Sequence, residues 1–99
     1  RLEPLDLVAA RDIEPGKASR AGGHAALRAL DAAVAAAARG EVDAVVFAPL
    51  NKHAMHLAGL DVEDELRHMQ RAFGVDGFVS EFNITGAMWT SRVTSHVPI

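Results

Sequence analysis

The sequence predicts an α/β fold, and three features carry that prediction. Two short apolar runs, Leu5–Ala10 and Ala44–Ala48, flank an alanine-rich segment with helical spacing, and turn-forming residues sit at the junctions. A short apolar run bounded by breakers reads as a buried strand. A run that is apolar on both faces suits the interior of a parallel or mixed sheet covered on both sides. Strand, helix and strand in that order make a β-α-β unit.

Taken in chain order, Leu5–Ala10 (LDLVAA) is bounded by Pro4 and by Arg11-Asp12, and Pro15-Gly16 marks the turn that follows. From Ala18 to Arg39 the pattern is helical: Leu27, Leu30, Val34 and Ala37 recur at the three- and four-residue spacing of one face. Alanine fills the rest, which favours the helix and permits close approach of a neighbour. Gly40 stands where a left-handed cap is expected. The second run, Ala44–Ala48 (AVVFA), ends at Pro49. Asn51 is placed to cap a short helix reaching Ala58, with Gly59 as its stop. A further helix is predicted from Val62 to Phe73, capped by Asp61, with Glu63, Asp64 and Glu65 at its positive end and Leu66, Met69 and Phe73 as its apolar face. The last quarter has β character: Phe78, Phe82 and then Trp89–Thr94, with Ile84-Thr85-Gly86 as the hairpin turn.

Composition narrows the function classes. Ninety-nine residues suffice for one small domain. The net charge is −3, and ten Lys and Arg are scattered among thirteen acids, so no basic patch is expected to bind nucleic acid. No apolar stretch reaches the ~18 residues of a membrane span. The absence of cysteine removes disulfides and thiolate metal sites and fits a cytoplasmic, reducing compartment. The sequence opens at Arg1 with neither an initiator Met nor a leader pattern and stops directly after His96-Val97-Pro98, so an internal piece of a longer chain is expected.

Two places could carry chemistry. Ala48-Pro49-Leu50-Asn51-Lys52 follows a predicted strand and opens a helix, where ligands bind in open α/β sheets. Lys52 there could hold an anionic or polarised substrate oxygen; in the plainer reading Asn51 only caps and Lys52 is solvated. His96 follows a strand-like run that Pro98 ends, a usual place for a ligand or base, although one histidine makes no metal site and a lone histidine is more often a hydrogen-bonded structural residue. His53 and His56 share a spacing of three, and Glu65 with His68 forms Glu-x-x-His; a di-iron bundle needs two such motifs and two further carboxylates, so both pairs read as polar surface. Gly22-Gly23 lies inside a helical pattern and makes no dinucleotide fingerprint, and no Gly-x-Ser-x-Gly is present.

Four stretches in order resemble the 4-hydroxythreonine-4-phosphate dehydrogenase family of pyridoxine biosynthesis. They are Pro15–Ser19 with Gly22–Ala25; Gly40–Val46 followed by Ala48–Lys52; His56–Gly59; and Arg92–Pro98. The resemblance implies a two-lobed fold like that of the isocitrate and isopropylmalate dehydrogenases, with a mixed sheet, and a homodimer whose site lies between subunits. It implies NAD-dependent oxidation of a secondary alcohol in a small-molecule substrate, 4-hydroxythreonine-4-phosphate or a related hydroxy acid or diol, with decarboxylation as a possible sequel. A divalent metal (zinc, magnesium or cobalt), held by three histidines from different parts of the dimer, is implied as well. His96 falls on the first of those histidines, and Lys52, with Asn51 before it, matches the lysine beside the substrate. One departure stands out: the family has G-H-T-E, which helps bind the substrate phosphate, where this sequence has Val62-Glu63-Asp64-Glu65-Leu66. Glu65 is therefore a candidate specificity residue. The alternative class is a non-catalytic α/β interaction or assembly domain with the alanine-rich helix as its contact surface. The dehydrogenase reading expects Lys52 and His96 to project from neighbouring strand ends into one cleft.

Overall fold

A computed structural model describes residues 2–93. Its elements are a 3-10 turn at Ala10–Asp12, helices α1 (Arg20–Ala38), α2 (Lys52–Leu57) and α3 (Glu65–Ala72), and strands β1 (Phe82–Thr85) and β2 (Met88–Ser91). All three helices are bounded by the same local chemistry. At each start a side-chain oxygen accepts the N–H three residues on: Ser19 from Gly22, Asn51 from Ala54 and Asp64 from Arg67. At each end a glycine with positive φ closes the helix: Gly40 at 72°, Gly59 at 105° and Gly74 at 63°. The N–H groups of Gly40 and Glu41 return to the carbonyls of Ala37 and Ala36, and the same paired bonds follow Gly59 and Gly74. These are Schellman closures, which satisfy carbonyls that helix ends otherwise leave open.

The core lies between α1, α2 and the segment leading into α3. Leu30, Val34, Met55 and Leu60 are buried, with Ala26, Leu27, Leu50, Val62 and Met69 packed around them. Met55 and Leu60 meet through the closure of α2, where the Leu60 N–H donates to the Met55 carbonyl at 3.0 Å. The hydrophobic contact typical of this cap thus becomes part of the core. Burying each such side chain contributes roughly 1.5–3 kcal/mol. Helix α1 approaches α2 at Gly23: a Cβ there would lie 1.8 Å from the Ala54 carbonyl oxygen, so only glycine fits.

The β-α-β unit is not formed among the described residues, which corrects the expected parallel or mixed sheet. Leu5–Ala10 is no strand; Leu5 is exposed and the segment runs into the 3-10 turn. Ala44–Ala48 is no strand either, and Val46 is 95% exposed. The reason is physical: a strand must pair its N–H and C=O groups with a neighbour, and neither run finds one among the described residues. The sheet described here is instead the two-stranded antiparallel hairpin β1–β2, with Ile84 opposite Trp89 and Thr85 opposite Met88. Its turn is Gly86-Ala87, with Gly86 at φ 57°, while Ile84 and Thr85 belong to β1. Asn/Gly-type two-residue turns need positive φ, and Gly86 supplies it at the first central position. Phe82 and Trp89 meet edge-on, 6.1 Å apart.

Helix α3 is shorter than predicted and starts three residues later. Asp64, buried, is its cap, whereas Asp61 lies outside the helix and pairs with Arg71. No helix among the described residues is long and apolar enough to cross a membrane.

Candidate functional site

Residues 44–50, without regular secondary structure, lead into the start of α2, and the first residue of that helix is Lys52. Asn51 holds the turn: its Oδ1 accepts the Ala54 N–H at 2.9 Å, so its capping role is established. Lys52 is half exposed, and its Nζ lies 3.8 Å from Oε2 of Glu65, the first residue of α3. Glu65 is mostly buried, and that oxygen is shut off from solvent with no hydrogen-bond partner. Two helix starts therefore meet, one bringing a cation and the other a carboxylate. Of the residues singled out from sequence, the structure groups Lys52, Asn51 and Glu65. His96 lies outside the described residues, as does the expected cleft shared by Lys52 and His96.

One histidine of each candidate pair, His56 and His68, has a structural partner. His56 Nδ1 lies 2.8 Å from the Leu60 carbonyl oxygen, across the Gly59 turn. His68 Nε2 lies 2.6 Å from Asp31 Oδ1, joining α3 to α1. Among the described residues no group of three or more His, Cys, Asp or Glu is arranged to hold a metal. A cleft of about 250 Å³ runs between α1 and α3, lined among others by Leu27, Asp31, Leu60, Asp61, His68 and Arg71. At its rim Arg71 Nη1 donates to both Asp61 carboxylate oxygens, at 2.9 and 3.1 Å. This hydrogen bonding, with the attraction of the two charges, holds the Asp61 carboxyl below its ordinary titration range. At the far end of α1, hydrogen bonding to Arg39 lowers the Glu41 carboxyl in the same way.

Sequence reasoning missed Asp31 and misassigned Asp64. Asp31 is an isolated acid on an otherwise alanine-rich stretch, which was the available signal. Asp64 immediately precedes Glu65-Leu66, and a cap directly before the helical pattern would have pointed to it. The alanine-rich helix, proposed as an external contact surface, spends its Leu30 and Val34 on the chain's own core.

In a small α/β chain, a capped short helix thus opens on a lysine that faces a carboxylate at the start of the next helix. The particular family follows from comparison: the model described as pyridoxal phosphate biosynthetic protein PdxA matches residues 1–99, and the chain belongs to that family. A Pseudomonas aeruginosa protein provisionally named 4-hydroxythreonine-4-phosphate dehydrogenase 2 is 43% identical over 84% of this chain and 25% of its own length. A Rhizobium meliloti protein with the same provisional name is 40% identical over 99% of this chain and 26% of its own. The D-threonate 4-phosphate dehydrogenase of Bordetella bronchiseptica is 33% identical over 88% of this chain and 24% of its own. The chain thus spans about a quarter of the length of the curated relatives it matches. No solved structure matches it.

Proposed function

We propose that the protein is an NAD-dependent, divalent-metal-assisted dehydrogenase that oxidises a secondary alcohol, and that this chain supplies the Lys52 side of its site. The observation that carries the reading is the Lys52–Glu65 pair at the meeting of two helix starts, in a chain of a family whose relatives are named dehydrogenases. Lys52 Nζ would hold the substrate oxygen by charge and hydrogen bond, and Glu65 would fix the direction of that ammonium group. Asn51 would act through the turn that it caps.

Metal and NAD enter through the family alone. The described donors make no metal site, and no glycine-rich dinucleotide fingerprint stands in the sequence. No step is therefore derived through either group. His96 is the residue proposed to ligate the metal, and the working assembly is proposed to be a homodimer in the cytoplasm.

The start of α3 bears on the substrate. A helix N-terminus attracts anions, but here the place is taken by the chain's own Asp64, buried and bonded to the Arg67 N–H, with Glu65 beside it. Phosphate would meet carboxylates there. We therefore favour an unphosphorylated hydroxy acid or diol over 4-hydroxythreonine-4-phosphate. The test is NADH production by the full-length protein with phosphorylated and unphosphorylated alcohols, with carbon dioxide measured alongside to register decarboxylation. Turnover of the unphosphorylated class, lowered at least about a hundredfold by Lys52→Met, is the expected result. Failure of both classes to reduce NAD would refute the proposal.

A further inference from the structure

We infer that His68 and Asp31 form a positioning latch, which sets the rotation of α3 so that Glu65 faces Lys52. The significance of the latch rests on the role proposed for Lys52, but its existence can be tested without any turnover. Helix α3 contributes no buried residue of its own, and Met69 is its partly buried contact with the core. Apolar packing therefore fixes its rotation weakly, and polar ties must do the rest. Arg71 binds Asp61, which lies just upstream in the segment leading into the same helix. The His68–Asp31 contact instead spans 37 positions and ties α3 to α1, the longest and best-anchored helix.

Glu65 and His68 are three residues apart and share a helix face. Anchoring His68 on α1 consequently fixes where Glu65 points. That anchoring is needed, because Glu65 Oε2 is cut off from water with no hydrogen-bond donor, its cation 3.8 Å away. Left to itself such an oxygen would turn outward to solvent. An Nε2–H on His68 donates to the Asp31 carboxylate whether or not the ring carries a second proton, so the latch needs no change of charge.

Lys17 and Lys52 are the two lysines of the chain, and Lys17 sits far along the sequence from α3, paired with Glu14. This allows an internal reference. The intact protein is treated with limiting acetic anhydride, and acetylation of Lys52 relative to Lys17 is read by peptide mass spectrometry. Glu65→Gln is expected to raise the ratio about threefold, the scale of a half-exposed ion pair. His68→Ala and Asp31→Ala should each do the same, and combining His68→Ala with Glu65→Gln should add nothing more, because one interaction is being removed twice. His68→Gln, which keeps a donor in the place of Nε2, should restore the ratio of the unaltered protein; general loosening of the chain would not be rescued this way. An unchanged ratio in both His68→Ala and Asp31→Ala, or effects of His68→Ala and Glu65→Gln that multiply, would overturn the latch.

Discussion

The helical half of the chain, residues 20–72, and the extended segments around it respond differently to the same shortage of neighbours. All three predicted helices form, α3 starting three residues late, whereas neither predicted parallel strand forms and the hairpin stands exposed, with Phe82, Ile84 and Trp89 all more than half accessible. A helix satisfies its backbone within itself and needs a partner for one stripe only. An interior strand needs a partner on each edge and cover on each face. The difference teaches that, among the described residues, the helices are held by local bonds and one shared core, while the runs 5–10 and 44–48 find no strand partner.

The sharpest way to break this contrast is Gly23→Ala. Alanine would ordinarily gain up to about 1 kcal/mol in a helix, but its Cβ would strike the Ala54 carbonyl. The net loss should exceed the ~3 kcal/mol of ordinary overpacking, as measured by denaturant unfolding, because α1 and α2 must part. Next is Met55→Ala, which empties the one fully buried large side chain among the described residues. A loss of about 2–3 kcal/mol is expected, at the low end for such a change because a small core can collapse. Removing the α2 cap with Asn51→Ala should cost about 1 kcal/mol, with faster amide exchange confined to residues 52–57. At the other pole, Val46→Lys should move stability by no more than ~0.5 kcal/mol, since the side chain faces solvent. A loss of several kcal/mol there would reveal that the segment is covered in solution, and the contrast would fail.

The smallest effect concerns acid. Asp61 titrates below its usual range in the folded chain because Arg71 bonds to it. Its contribution is therefore present above the ordinary carboxylate value and lost as pH falls through the lowered folded one. A carboxyl titration followed by NMR should place Asp61 low, and Arg71→Ala should return it to the ordinary range. An Asp61 midpoint unchanged by Arg71→Ala would remove the pair from the account of how α3 is held.

Local signals were the legible ones. Asn51, Gly40 and Gly59 mark helix limits because caps and left-handed closures are chemistry within a few residues, whereas Ser19, the cap of α1, was passed over inside a helix expected from Ala18. Asp61 misled where Asp64 was right, since both are acids ahead of an apolar pattern and only the bond from Arg67 decides between them. The hairpin was legible as β but misplaced in its turn, because Gly86 can serve either as the end of a turn or as its first central residue.

What the sequence determined by itself is therefore the periodic and the local: three helices, the cap of α2, the glycine stops after α1 and α2, the β character of 82–91 and, through ordered motifs, the family. What the tertiary structure decided is which charges meet. Lys52 with Glu65 and Asp31 with His68 are 13 and 37 positions apart, and no spacing rule reaches across a loop to align them. Nor could the apolar character of Ala44–Ala48 say whether a strand would form, because hydrophobicity states what a segment would bury, and pairing depends on what lies beside it.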